Sequence, residues 1–218
     1  MCSRAESRRP SSSAASCRSA VAAHAAFVPA FAREEAAAQG LIKAAFAHAW
    51  HGVGPLTRAW LHCVASEIRA RCGDAKGCLR HIDRADRAID GIGDDPTWLD
   101  FFGRARLDGF AGYSALTAGE TAEAARRLER ALGALGDGEG KQRSVILADL
   151  ATAHAGNDAD LAIARLDEAV EALTGAWYAT GYERIDQVQR TLPDGREVRT
   201  VKERLHALDQ LHRPELSA

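Results

Sequence analysis

Large rings are scarce in this chain: aromatic residues make up 6% of its 218 positions, and there is a single methionine. A core without big side chains has to be built from small ones packed closely. Long apolar runs are missing as well, since none approaches the roughly 18–20 residues needed to cross a bilayer. There is no basic surplus either, because 28 Lys and Arg face 30 Asp and Glu. A self-sufficient nucleic-acid binder carries such a surplus to neutralise phosphates, so the balance argues against one and leaves only local basic faces. The five cysteines, Cys2, Cys17, Cys63, Cys72 and Cys78, are odd in number and lack paired spacing. That argues against a disulfide framework and fits a reducing cytoplasm. Valine and isoleucine are scattered rather than alternating, so strands find little support.

Catalytic motifs are also missing. There is no G-x-S-x-G, no HExxH, no P-loop and no dinucleotide fingerprint. Gly91-Ile-Gly93 and Gly136 to Gly140 are rich in glycine but lack a preceding strand or a following lysine, so they read as loops. Cys63, Cys72, Cys78 and His81, with His62 nearby, raise the question of a metal. Zinc favours at least one close-spaced ligand pair, and Cys63 and Cys72 are nine residues apart on one helix, pointing differently. Packing cysteines are the expectation, with no metal and no cofactor. The charged stretches "RRLER" (126–130) and "ERIDQVQR" (183–190) read as solvated helix faces with i, i+4 pairs.

What the chain does have is alanine, the best helix former, and a pattern that recurs. "GDAKGCLRHIDRADRAI", "GETAEAARRLERAL" and "NDADLAIARLDEAVEAL" each begin with a turn residue: Gly73, Gly119 and Asn157. Beyond each turn stand Cys78, Ile82, Ala85 and Ile89; then Ala124, Leu128, Ala131 and Leu135; then Ala162, Leu166, Ala169 and Leu173. Steps of four, three and four mark one stripe along an α-helix. A small residue beside a large one lets a neighbouring helix approach. One such helix cannot bury its stripe alone, whereas stacked copies can.

The expected organisation is a Ser/Arg-rich disordered leader over 1–19, a helical domain over 20–212 and a short tail over 213–218. Within the domain, helical hairpins are expected at about 55–90, 96–135, 142–174 and 176–211. Pro29 should kink the first segment, 20–38, and Gly40 should separate it from the next. Asp95 and Pro96 should cap and open a helix running to Gly119. The arginines of "SRRP" faintly suggest an export signal, but Arg18 and His24 interrupt the apolar region that should follow.

The stripe resembles the second helix of the tetratricopeptide repeat, with its Ala-x3-Phe-x2-Ala signature. Here leucine or isoleucine takes the aromatic position, and the anchors are spaced by 46 and 38 residues rather than about 34. The fold class expected is therefore all-α, a tetratricopeptide-like solenoid. More narrowly, "RAWLHCVASEIRARCGD" (58–74), "WLDFFGRARLDGFAGYSAL" (98–116) and "KQRSVILADLATAH" (141–154) resemble the C-terminal region of actinobacterial regulators. Those proteins carry an XRE-type helix-turn-helix head. The likeness spans roughly residues 40–210, and no DNA-reading helix pair is legible upstream of it. The resemblance implies a non-enzymatic sensing, dimerising or protein-binding module of a transcriptional regulator, in the cytoplasm, with a protein or peptide partner or its own copy. Direct regulation by DNA binding is the alternative. It also implies a concave groove lined by first helices, which would put Trp60, Glu67, Arg71, Arg106, Tyr113, Leu147 and His154 near the partner.

Overall fold

A computed structural model describes residues 12–50 and 52–212. The described residues are all-helical, with 77% of them in helix and no strand among them. No helix among them is long and apolar enough to cross a membrane. The chain divides into two compact units, Met1–Phe110 and Ala111–Ala218, where the sequence reading has one domain.

The first unit holds α1 (Ser12–Ala25), α2 (Phe27–Phe31), α3 (Glu35–Ala49), α4 (Pro55–Arg71), α5 (Ala75–Ala88), a 3-10 turn (Thr97–Leu99) and the start of α6 (Arg104–Thr117). The leader expected to reach residue 19 is shorter: α1 already begins at Ser12. Ala15, Ser16 and Ser19 are buried, and the Ser19 hydroxyl donates to the Ala15 carbonyl at 2.8 Å. These small residues let α1 lie close along α3 and reach α4. The rest of the expected leader, residues 1–11, and the expected tail lie outside the described residues.

Gly40 does not end a helix; it sits inside α3 on an open side, where an added Cβ would meet nothing within 4 Å. The break comes earlier, at Arg33, whose φ of 59° is left-handed. There Glu34 N–H donates to Pro29 O (2.8 Å) and Arg33 N–H to Ala30 O (3.1 Å). Gly73 (φ 78°) and Gly119 (φ 77°) make the same pair of bonds at the ends of α4 and α6, the Schellman arrangement that glycine favours. Asn157 closes its turn differently, with Asn157 and Asp158 N–H groups both donating to the His154 carbonyl.

Anchoring α3 on Arg33 reveals a fourth copy of the stripe. Ala38, Ile42 and Ala45 are buried and stand where Cys78, Ile82 and Ala85 stand in α5. Of the twelve stripe residues read from the sequence, Cys78, Ile82, Ala85, Ala124, Leu128, Ala131, Ala162, Leu166, Ala169 and Leu173 are buried. Ile89 and Leu135, at the helix ends, are half-buried.

Asp95 caps a helix, but not the one expected. Its carboxylate accepts from Leu56 N–H (2.9 Å), Thr57 N–H (2.7 Å) and the Thr57 hydroxyl (2.7 Å), so it caps α4 from 38 residues away. Gly54 leaves room for it, since a Cβ there would lie 2.4 Å from the carboxylate. With Asp95 engaged elsewhere, the expected helix at 96 shrinks to the 3-10 turn. Leu99 and Phe102 tuck inward, and α6 starts only at Arg104.

The second unit holds the rest of α6, then α7 (Thr121–Gly133), α8 (Gly140–His154), α9 (Ala159–Gly175), α10 (Ala179–Gln189) and α11 (Arg196–His212). One core joins Ala115 of α6 to Leu128 and Ala131 of α7 and Ile146 and Leu150 of α8. Another joins Leu147, Leu166, Leu173, Ile185, Val201 and Leu205 of α8 to α11. Gly112 brings α6 close to α7, since a Cβ there would lie 2.4 Å from Leu128 Cγ.

Candidate partner-binding groove

The expected groove residues fall in both units and are described within each. In the first unit, Trp60, Glu67 and Arg71 share one face of α4, seven and four residues apart. Trp60 is 3% exposed, with the His24 ring of α1 at 5.1 Å and the Trp98 ring edge-on at 6.1 Å. A residue so enclosed packs helices together and does not meet a partner. Arg71 donates to Glu67 at 3.1 Å and lies 4.1 Å over the Phe31 ring of α2. That ion pair is largely enclosed, with side chains 8% and 14% exposed. α1 and α2 therefore cover the face of α4 that the sequence reading leaves open. Arg106 is half-buried near the start of α6.

In the second unit Leu147 is 2% exposed and belongs to the core, a correction like that for Trp60. Tyr113 is half-buried, and the Arg184 guanidinium lies 3.3 Å over its ring, a cation–π contact. Arg184 also donates to Asp149 at 3.0 Å, and both side chains are almost fully enclosed. One charged cluster thus ties α6, α8 and α10. His154 sits half-buried at the end of α8, and its Nε2 is enclosed without a hydrogen-bond partner among the described residues.

The sequence reading gives Asp149 and Arg184 no site role and places "ERIDQVQR", which contains Arg184, on a solvated face. Arg184, Ile185, Val188 and Gln189 are in fact buried. The signal was available: Ile185 and Val188 are spaced for an inward stripe, and Arg184 and Gln189 flank it. "RRLER" does present Arg126, Glu129 and Arg130 to solvent, with Glu123 pairing to both Arg126 and Arg127.

The cysteine and histidine cluster resolves into packing plus an imidazole pair. Cys63 and Cys78 are fully buried, and burial pushes the Cys63 thiol well above its ordinary value. The Cys78 thiol donates to Ala75 O at 3.0 Å. His62 and His81 bring their Nδ1 atoms to 3.0 Å, so one ring donates and the other accepts. The Phe46 ring lies against both. Burial lowers both pKa values to about 4, helped for His62 by the neighbouring His81. Among the described residues no group of three or more His, Cys, Asp or Glu is placed to hold a metal ion.

A shallow cleft of about 570 Å³ opens at the start of α4, between Val53–Pro55 and Gly91–Gly93, with Arg58 and Arg87 at its sides. Asp94 lines the same cleft, so its charge is mixed. No protein-family model, no curated protein and no solved structure matches the chain.

Proposed function

We propose that the chain is a tetratricopeptide-like helical-repeat module of the transcriptional-regulator type, non-enzymatic and cytoplasmic. In this reading it binds a protein or peptide segment, or its own copy. The observation that carries the reading is the fourfold register, in which a turn is followed by the same buried small–large–small triplet in α3, α5, α7 and α9. The neighbour scheme within the units supports it. In the first, α1 pairs with α3 and both touch α4; in the second, α8 pairs with α9 and both touch α10. Stacked hairpins, in which each pair meets its neighbours, would give such contacts, and this supports the reading.

With Trp60 and Leu147 inside, the residues left for recognition in the second unit are Tyr113 and His154, on α6 and α8. Tyrosine offers a rigid amphipathic contact, and the half-buried His154 contributes the exposed part of its ring, since its Nε2 is enclosed. The test is capture of a partner by the immobilised full chain, compared with Tyr113→Leu and His154→Glu. Loss of capture in those variants, with helicity retained, is expected. A chain that captures nothing and stays strictly monomeric would overturn the reading. Gel shifts at physiological salt separate it from direct DNA regulation, because scattered surface arginines give only weak, salt-sensitive, sequence-blind binding.

A further inference from the structure

The inner columns of the repeats are alike, but the outer ones are not. The outer face of α5 carries Lys76, Arg80, Arg84 and Arg87, all exposed. The equivalent positions of α9 are Asp160, Ala164, Glu168 and Glu171, exposed as well. Asp83 and Asp167 occupy one further matching position, acidic in both. In α3 the same places hold Ala36, Gly40, Ala44 and Ala47, and in α7 they hold Ala122, Arg126, Arg130 and Gly133. Packing therefore does not dictate what stands there. In chain order these four faces are neutral, strongly basic, weakly basic and acidic.

The charges on α5 contrast with those of nine arginines elsewhere in the chain. Arg69, Arg71, Arg104, Arg126, Arg127, Arg165, Arg184, Arg190 and Arg204 are engaged in ion pairs. Arg80, Arg84 and Arg87 have no ion-pair partner among the described residues, and Asp86 and Asp90 beside them are held by Arg104. On α9, Asp167 and Glu171 share Arg204, and Glu168 shares Arg165 with Glu129. Three carboxylates of this face, those of Asp167, Glu168 and Glu171, thus meet two guanidiniums, Asp160 has no ion pair among the described residues, and the face remains acidic. Each strip spans twelve residues, eleven steps or about 16 Å of helix at 1.5 Å per residue, so the two match in length and are opposite in sign.

We propose that the outer face of α5 receives the outer face of α9 from a second copy of this chain. Opposite charge at matching spacing gives such a contact its register and its on-rate. A heterologous contact of this kind joins unlike surfaces and can close a ring or extend a chain of copies. The proposal rests on the reading of the chain as a protein-binding repeat and specifies one partner for it.

The experiment is sedimentation velocity on the full chain and on two triple variants. One is Arg80→Glu, Arg84→Glu, Arg87→Glu; the other is Asp160→Lys, Glu168→Lys, Glu171→Lys. Wild type should associate at about 20 mM salt and dissociate at about 300 mM, with an apparent Kd at least about tenfold weaker. Each triple variant alone should be monomeric, because both its strips then carry one sign. An equimolar mixture of the two should associate again, since each supplies the strip that the other lacks. That recovery also shows that both variants are folded, independently of their circular dichroism. A wild type that stays monomeric at low salt, association indifferent to the substitutions, or a mixture that stays apart would overturn the proposal. So would duplex DNA retained by wild type and lost only in the Arg80, Arg84, Arg87 variant without self-association, which assigns the basic strip to nucleic acid. Capture of a foreign partner through Tyr113 and His154 is read separately, so failure here leaves the wider binding reading to its own test.

Discussion

Substituting Asp149 by alanine should reveal how the second unit is held in register. The Asp149 and Arg184 side chains are 5% and 6% exposed, their contact is 3.0 Å, and the guanidinium also rests on the Tyr113 ring. Without the carboxylate, a guanidinium stays buried without its main counter-charge, which costs about 3–5 kcal/mol. The total stability of a domain is about 5–15 kcal/mol, so the single variant should lower the urea midpoint markedly. Arg184→Met keeps bulk and a favourable sulfur contact over Tyr113, worth about 0.3–1.5 kcal/mol, but strands the carboxylate. The double variant Asp149→Leu, Arg184→Met removes both charges, and replacement of a buried pair by apolar groups is often neutral. It should therefore recover most of the loss, giving a coupling energy of about 2–3 kcal/mol in a double-mutant cycle whose single variants are Asp149→Leu and Arg184→Met. Far-UV circular dichroism in urea supplies the midpoints, and hydrogen exchange on α8 and α10 locates the effect. A cost below about 1 kcal/mol for Asp149→Ala, or a strictly additive cycle, would refute the claim that this pair is buried and coupled.

Acid should weaken the first unit. His62 and His81 titrate near 6.5 when unfolded and at about 4 when folded, so the unfolded chain binds more protons in between. Stability from this pair is full above pH 6.5 and is lost as pH falls toward 4. Replacing both histidines by phenylalanine should flatten that acid limb in melts run from pH 7 to 4. Asp95→Ala removes the acceptor for two backbone N–H groups and the Thr57 hydroxyl. It should cost about 1–2 kcal/mol, and Asp95→Asn should cost less; equal thermal midpoints for wild type and the alanine variant would refute the cap. Gly112→Ala forces a Cβ against Leu128 and should cost about 1–3 kcal/mol. Adding Leu128→Ala should then cost less than it does in the wild-type background.

The helices α5, α7 and α9 were legible because each follows a turn residue and repeats one stripe. The α3 copy escaped because arginine rather than glycine holds its left-handed turn, so no turn signal marks it in the sequence. The Asp95 cap escaped for a different reason. Local patterning pairs an aspartate with the proline that follows it, whereas this carboxylate serves a helix start far upstream, a choice made by tertiary approach. The groove was read from resemblance, and half of it depended on which faces neighbouring helices cover. Trp60 and Leu147 are large apolar residues whose enclosure follows from the packing of α1 on α4 and of α9 and α10 on α8, which no single stripe announces. Arg184 was misjudged because a charge beside an apolar stripe reads as solvated unless its counter-ion, 35 positions away, is brought to it.

The tie from Asp95 to Leu56 and Thr57 bears on how the first unit can be cut. A fragment ending at Asp94 keeps every residue of α4 and α5 yet exposes the leading N–H groups of α4 to water. A fragment ending two positions later retains the clasp. Expression boundaries drawn at the visible end of α5 would thus yield a frayed piece.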